Sequence, residues 1–253
     1  MNDFVRIENM DGGIRRLTMC QPGKKNAMNA AMRDGLRQEI ERIAADTTAN
    51  GLVLTGADGE YSAGGDIQGL MAVEPERFRT YLQQGHLLVK ALWSLEKPAV
   101  AAIEGVGVGG GLALAMCCDF IVMGRSARIG FTFSKIGFVP DWGTPYTVVQ
   151  RVGPAAARRL FQQASLVDAE TALSVGLVDS VVDDSTVQEA ALAQARRLTE
   201  LPPRAFALTK RVLQTVPPSL ESALELELIA QQSCFKSDEF MAGVAPFVRK
   251  PQA

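Results

Sequence analysis

The sequence predicts an α/β domain followed by a helical region. Strand-length apolar runs alternate with helix-period segments through the first two thirds of its 253 residues, the pattern of strands joined by crossover helices. Beyond about Val152 the texture changes to helices set off by proline and glycine. With 47% apolar and 21% charged residues, the chain is long enough to bury an ordinary core, which excludes disorder and a small disulfide-stapled scaffold.

Asn29 is the expected N-cap of AAMRDGLRQEIERIAAD, in which Met32, Leu36, Ile40 and Ile43 recur at three- and four-residue steps. GLVLTG (51–56) is a short buried strand, followed by the loop ADGEYSAGGDI and an irregular helical region from about Glu74 to Glu96. Lys97-Pro98 opens the strand KPAVAAIE, glycines at 105–111 interrupt it, LALAMCC is a short helix, and FIVMG (120–124) is again a strand. Gly153-Pro154 opens the helix AAARRLFQQ, and Ser185 with Gln188 is expected to form a capping box for VQEAALAQARRL. Pro202-Pro203 breaks the chain before PRAFALTKRVLQ, and Pro217-Pro218-Ser219 starts LESALELELIAQQSCF, with Leu220, Leu224 and Leu228 on one face.

A formal charge of −2 and a pI near 5.6 leave no excess positive field for nucleic acid. The longest uncharged stretch, Gly105 to Cys118, is 14 residues and rich in glycine, short of the roughly 20 apolar residues of a membrane span. No basic n-region followed by an apolar run opens the chain, and Cys20, Cys117, Cys118 and Cys234 lack metal-ligand spacing, so a cytoplasmic protein with reduced thiols is expected. The lone histidine, His86, and the absence of a G-x-S-x-G elbow argue against a serine triad and against a histidine-held metal.

Gly105, Gly107 and Gly110 match the dinucleotide fingerprint, with Arg125 and Arg128 nearby for a ribose phosphate. The unit from Pro98 to Met123 spans only 26 residues, and no acid ends the second strand, which disfavours a nicotinamide site. A second reading uses the same glycines as bare N–H donors at a helix start, with a further donor from Ser62-Ala63-Gly64-Gly65-Asp66. Two such donors converging on one carbonyl oxygen make an oxyanion hole. Taken singly, each cluster reads equally as a turn or as tight packing.

YSAGGDI (61–67), KPAVAAIEGVGVGGGLALAMCCDF (97–120), IGFVPDWGTP (136–145), GLVDSVVD (176–183) and ALTKRVL (207–213), in that order, resemble the crotonase superfamily of enoyl-CoA hydratases and isomerases. The resemblance runs from KKNAM (24–28) to FVRK (247–250). It implies a spiral of repeated ββα units over 1–190, holding CoA and the active site, and a helical trimerisation region over 191–253. It further implies acyl-CoA thioesters as substrates, CoA arriving as part of the substrate rather than as a cofactor, and a homotrimer or dimer of trimers; charge balance and run length, as above, leave neither nucleic acid nor membrane as an expected partner. By position, the N–H groups of Gly65 and Gly110 would hold the thioester oxygen. Ala63, Asp66 and Ile67 would follow the adenine and pantetheine, Lys25 and Ala27 would lie near the nucleotide, and Phe247 and Lys250 close to CoA.

The sequence departs from the hydratase pattern where the acid and base belong. Hydratases of the family place glutamates at the positions held here by Ala113 and Phe133, and neither residue can activate water or deliver a proton. Asp141, in Val139-Pro140-Asp141-Trp142-Gly143, is the remaining carboxylate in a plausible place. Local chemistry reads it as a helix cap or turn residue. The family reads it as a proton carrier, since the ring-epoxide isomerases of phenylacetyl-CoA breakdown and the dienoyl-CoA isomerases carry aspartate at the matching site, and the former look closest. Phe131, Phe133, Phe138 and Trp142 are candidate pocket walls, and equally candidate core residues. Three functions follow from the resemblance: an isomerase using Asp141, a hydratase with a relocated pair such as Asp141 and Glu104, and an acyl-CoA binder without chemistry.

Overall fold

The turn Asp11–Gly13, with Gly12 at φ +76°, folds β1 (Val5–Met10) back on β2 (Ile14–Met19) as an antiparallel pair. In this computed structural model, which describes residues 3–216, 219–235 and 237–248, every later strand of the large sheet is parallel to its neighbour. Asn29 caps α1 (Ala30–Ala45), its side chain accepting the Met32 N–H at 2.8 Å, and the helix carries the chain over to β3 (Gly51–Gly56). Next come α2 (Ile67–Met71), a 3-10 turn at Pro75–Arg77 and α3 (Phe78–Trp93), which resolve the irregular helical stretch.

A repeating unit then appears: one strand of the large sheet, one short strand of a second sheet, and a helix. It runs β4 (Ala99–Ile103), β5 (Val106–Val108) and α4 (Gly109–Met116), then β6 (Phe120–Gly124), β7 (Arg128–Gly130) and α5 (Thr144–Gln163). β8 (Val167–Asp168), α6 (Ala169–Ser174), β9 (Ser180–Val182) and α7 (Val187–Thr199) close the series. The large sheet has the order β1-β2-β3-β4-β6-β9 and the small one β5-β7-β8. Gly153, at φ +74° and ψ 164°, breaks α5 just before Pro154, where the sequence places a helix start.

The buried strands point alternate residues to opposite faces. Leu52, Leu54, Ala99, Ala101, Ile103, Ile121 and Met123 meet Met32, Leu36 and Ile40 of α1, Leu88 and Leu92 of α3, and residues 112–116 of α4. Val53, Val100, Ala102 and Val122 form a second core with Val187, Ala191 and Ala195 of α7. This corrects the expected boundary at 190/191, which falls inside α7. The chain instead divides between Leu198 and Thr199, because α7 covers the second face of the sheet and belongs with it. Each Val or Leu so buried stabilises the fold by about 1.5–3 kcal/mol.

Gln188 also departs from expectation. Its side chain donates to Thr55 Oγ1 (2.8 Å) and to the Glu104 carboxylate, so it ties α7 to the sheet rather than closing a capping box.

The second unit contains α8 (Pro203–Thr215), α9 (Leu220–Cys234) and α10 (Asp238–Val248). Ser219 caps α9 by accepting the Ser222 N–H, and Arg204 at the start of α8 donates to the Ser233 carbonyl and the Glu239 carboxylate. Leu220, Leu224 and Leu228 are exposed along α9. No described helix is long and apolar enough to cross a membrane.

Candidate active site

Three loops build the site. Asn26, left-handed at φ +54° and buried, donates to the carbonyls of Ala57 (2.9 Å) and Glu60 (2.7 Å), while its Oδ1 accepts from Gln21 N (2.9 Å). The side chain thereby pins the 21–28 loop to the turn after β3. Met28 N donates to the Gly64 carbonyl (2.6 Å), and Asp66 N donates to the Met28 carbonyl (3.0 Å). In a parallel bridge of this kind the residue between those two bonds directs its own N–H to the other side, and that residue is Gly65.

From the opposite flank, Ser62 N donates to Val106 O (2.9 Å), Val108 N to Ser62 O (3.0 Å), and Ser62 Oγ to Asn26 O (2.8 Å). Gly64 sits between at φ +86°, and a Cβ there would lie 3.1 Å from the Val108 carbonyl. Both conformation and space therefore require glycine at this position.

The second loop starts α4. Val108 is its N-cap and makes no side-chain cap bond, so the N–H groups of the first turn lack intrahelical acceptors. A Cβ on Gly109 would stand 3.4 Å from Gly64 Cα and 4.0 Å from Gly65 N, which puts the two glycine loops in van der Waals contact. Neither the Gly65 nor the Gly110 N–H meets an acceptor among the described residues, and both residues line one cavity of about 250 Å³.

The third loop supplies the carboxylate. Trp142 (φ +51°) and Gly143 (φ +77°) are successive left-handed residues, an arrangement a bulky side chain adopts only when packing imposes it. Gly143 is the N-cap of α5 and has no side-chain cap bond. Thr144 donates through both N (3.0 Å) and Oγ1 (2.8 Å) to the backbone carbonyl of Asp141. The helix-cap reading of Asp141 is thus corrected: its carbonyl is held and its carboxylate lines the cavity. Burial pushes that carboxyl up to about 6, opposed only by its own backbone N–H.

The cavity brings together Gly65, Gly110, Asp141, Ala63 and Ile67 of the residues the sequence singled out, with Phe133, Phe138 and Trp142 as walls. Phe131 is instead core, fully buried with its ring 5.1 Å from that of Phe161. Asp66 stands beside the cavity, its carboxylate 3.5 Å from Lys24 Nζ. Lys25 pairs with Glu60 at 2.7 Å, and Ala27 is buried in the same loop; neither lines the cavity. Lys250 lies outside the described residues, and of Phe247 only the backbone, within α10, is described. Glu104 does not line the cavity either, since its carboxylate is engaged by Gln188. It therefore makes no partner for Asp141.

Arg33, Tyr81 and Leu82 also line the cavity and went unnoticed in the sequence. Arg33 had a readable signal: it shares the spacing of Leu36, Ile40 and Ile43, so α1 turns a charged residue inward. Tyr81 had none, because only the crossing of α3 over α1 brings it there.

A pair of unpaired N–H donors and a carboxylic side chain lining one largely apolar cavity suits enolate chemistry. The sequence profile described as enoyl-CoA hydratase/isomerase matches residues 9–253.

The chain belongs to the enoyl-CoA hydratase/isomerase family.

Within this family it is 30% identical to the 1,2-epoxyphenylacetyl-CoA isomerase of Escherichia coli K12, over 99% of this chain and 97% of that one. It is likewise 30% identical to the crotonyl-CoA hydratase of Syntrophomonas wolfei, over 94% of each chain. The crystal structure of an enoyl-CoA hydratase from Bacillus anthracis superposes with a TM-score of 0.92 over 96% of this chain and 95% of that one, at 22% identity, a likeness of fold. The ββα spiral expected from the motifs is accordingly the crotonase fold. The protein is an acyl-CoA enzyme of this family, and Ala113 and Phe133 stand buried in its core.

Proposed function

We propose that the enzyme isomerises an unsaturated or ring-epoxide acyl-CoA, with Asp141 as its only proton carrier. The observation that carries this reading is that Asp141 is the one carboxylate among the described residues lining the cavity that also holds the Gly65 and Gly110 N–H groups. Hydrogen bonds from those groups to the thioester oxygen acidify the proton at C2 of a 3-enoyl ester. Asp141 takes it, the two N–H groups hold the dienolate oxygen, and Asp141 returns the proton at C4 to leave a 2-enoyl ester. A carboxyl near pH 6 is ionised enough to accept the proton at neutral pH and basic enough to give it back readily. Phe133, Phe138 and Trp142 keep the carbanion away from water, and positions 113 and 133 offer no carboxylate to activate one.

Proton NMR in deuterated water tests the reading. A 3-enoyl-CoA is expected to become a 2-enoyl-CoA without a 3-hydroxyacyl product, and Asp141→Asn is expected to abolish the conversion. Rapid hydration of a 2-enoyl-CoA by the wild-type enzyme would overturn it in favour of a hydratase; binding without exchange on either ester would favour a non-catalytic binder. The exposed leucine stripe of α9 supports the expected trimer or hexamer.

A further inference from the structure

Arg33 is 4% exposed, yet its guanidinium has no hydrogen bond or ion pair among the described residues, and its buried Nε has no partner at all. Other sheltered cations of the chain are matched. Arg15 reaches Asp46 and Thr48, Arg16 grips Glu8 through two bonds, Arg151 meets Asp179 and the Cys118 carbonyl, and Lys97 donates to two carbonyls. Leaving the Nε of a buried cation unmatched is costly, because that N–H loses water and gains no acceptor.

Its surroundings indicate what would match it. Arg33 lines the same cavity as Asp141, and its Cζ lies 4.0 Å from the centroid of the Tyr81 ring. A ring-face contact holds the guanidinium carbon and leaves the in-plane N–H donors to other acceptors, the geometry in which arginine takes a carboxylate through two bonds. The cavity wall is otherwise largely apolar, with Met28, Leu70 and Leu82 in it, and Thr132 and Asp141 among its few other polar side chains. Asp141 makes no ion pair with it. The anion must therefore arrive with the ligand.

We propose that Arg33 binds a carboxylate on the acyl group, so that the substrate is the CoA monothioester of a short dicarboxylic acid. This narrows the acyl group and rests on the acyl-CoA reading of the cavity, though not on the isomerase reaction. The cavity, at about 250 Å³, is small for a ligand site and suits a compact acyl group.

Saturated thioesters separate the two proposals, since they bind without reacting. Calorimetry would compare succinyl-, glutaryl- and adipyl-CoA with butyryl-, valeryl- and hexanoyl-CoA, chain length for chain length. At least one diacid ester is expected to bind wild type about tenfold more tightly than its neutral counterpart, the order expected of a charge-assisted pair. Arg33→Met is expected to bring that ratio close to one, and Arg33→Lys, which keeps the charge but loses the planar fork, to leave it partly intact. Equal affinity within all three pairs in wild type would overturn the proposal, as would a wild-type ratio that persists in Arg33→Met. So would a loss in Arg33→Met that is the same for diacid ester, neutral ester and free CoA, which would place Arg33 on the nucleotide instead. A carboxylate preference found in an enzyme that exchanges no proton on any 3-enoyl ester would sink the isomerase reading and leave this one standing.

Discussion

The Trp142 indole occupies the space that a side chain at Gly85 would need: a Cβ there would lie 2.7 Å from Cε2 and 2.8 Å from Cζ2. α3 therefore holds the tryptophan, and through it the left-handed turn that presents Asp141. Gly85→Ala overpacks this contact and should cost about 1–3 kcal/mol. A fall in the urea midpoint, together with a drop in kcat/KM larger than the loss of folded protein, is the expected result; an unchanged rate would mean that Trp142 does not position Asp141.

Asp141 makes stability depend on pH. Its folded pKa, about 6, stands above the ordinary aspartate value of 3.8, so the folded state binds the proton more tightly than the unfolded state does. Stability is thus lost as pH rises from about 4 through 6, and the loss is complete above 6. Asp141→Asn, which removes the charge, should melt at a higher temperature than wild type at pH 7.5, with the difference shrinking towards zero near pH 4. Melting curves at the two pH values check the sign.

The same carboxyl sets the acid limb of catalysis. Only the ionised form removes a proton, so kcat/KM for a 3-enoyl-CoA should fall tenfold per pH unit below about 6. A limb found near pH 4 would show that burial does not hold Asp141 as described.

The buried Asn26 side chain makes three hydrogen bonds, one closing the 21–28 loop and two tying it to the turn after β3, and Met28 in that loop fixes Gly64. Asn26→Ala leaves two carbonyls and an N–H unmatched and should destabilise the protein by about 3 kcal/mol. Hydrogen exchange should rise locally at residues 62–66, where the donor of Gly65 is set.

His86 is exposed on α3. More instructive are the residues read wrongly or not at all. Phe131 and Phe133 stand two positions apart, and only the second reaches the cavity, because the chain leaves β7 for a 3-10 turn between them. Gln188 follows Ser185 at capping-box spacing, yet the 3-10 turn Asp184–Thr186 precedes α7 and frees its side chain for Thr55. Arg33 was not singled out at all, because a charge within an apolar stripe carries no periodic signal of its own.

The strands 51–56 and 120–124, the cap at Asn29, the break at Gly153-Pro154 and the two glycine loops were determined by the sequence itself, because each depends on neighbours within a few residues: hydrophobic period, capping side chain, or absent Cβ. The order and spacing of the motifs likewise carried the family. Tertiary structure alone decided that the unpaired N–H groups of Gly65 and Gly110, the carboxylate of Asp141 and the guanidinium of Arg33 share one cavity. These groups are separated by 31 to 108 positions of sequence, and burial, which raises the carboxyl of Asp141 and strips water from Arg33, is a property of what packs around a group.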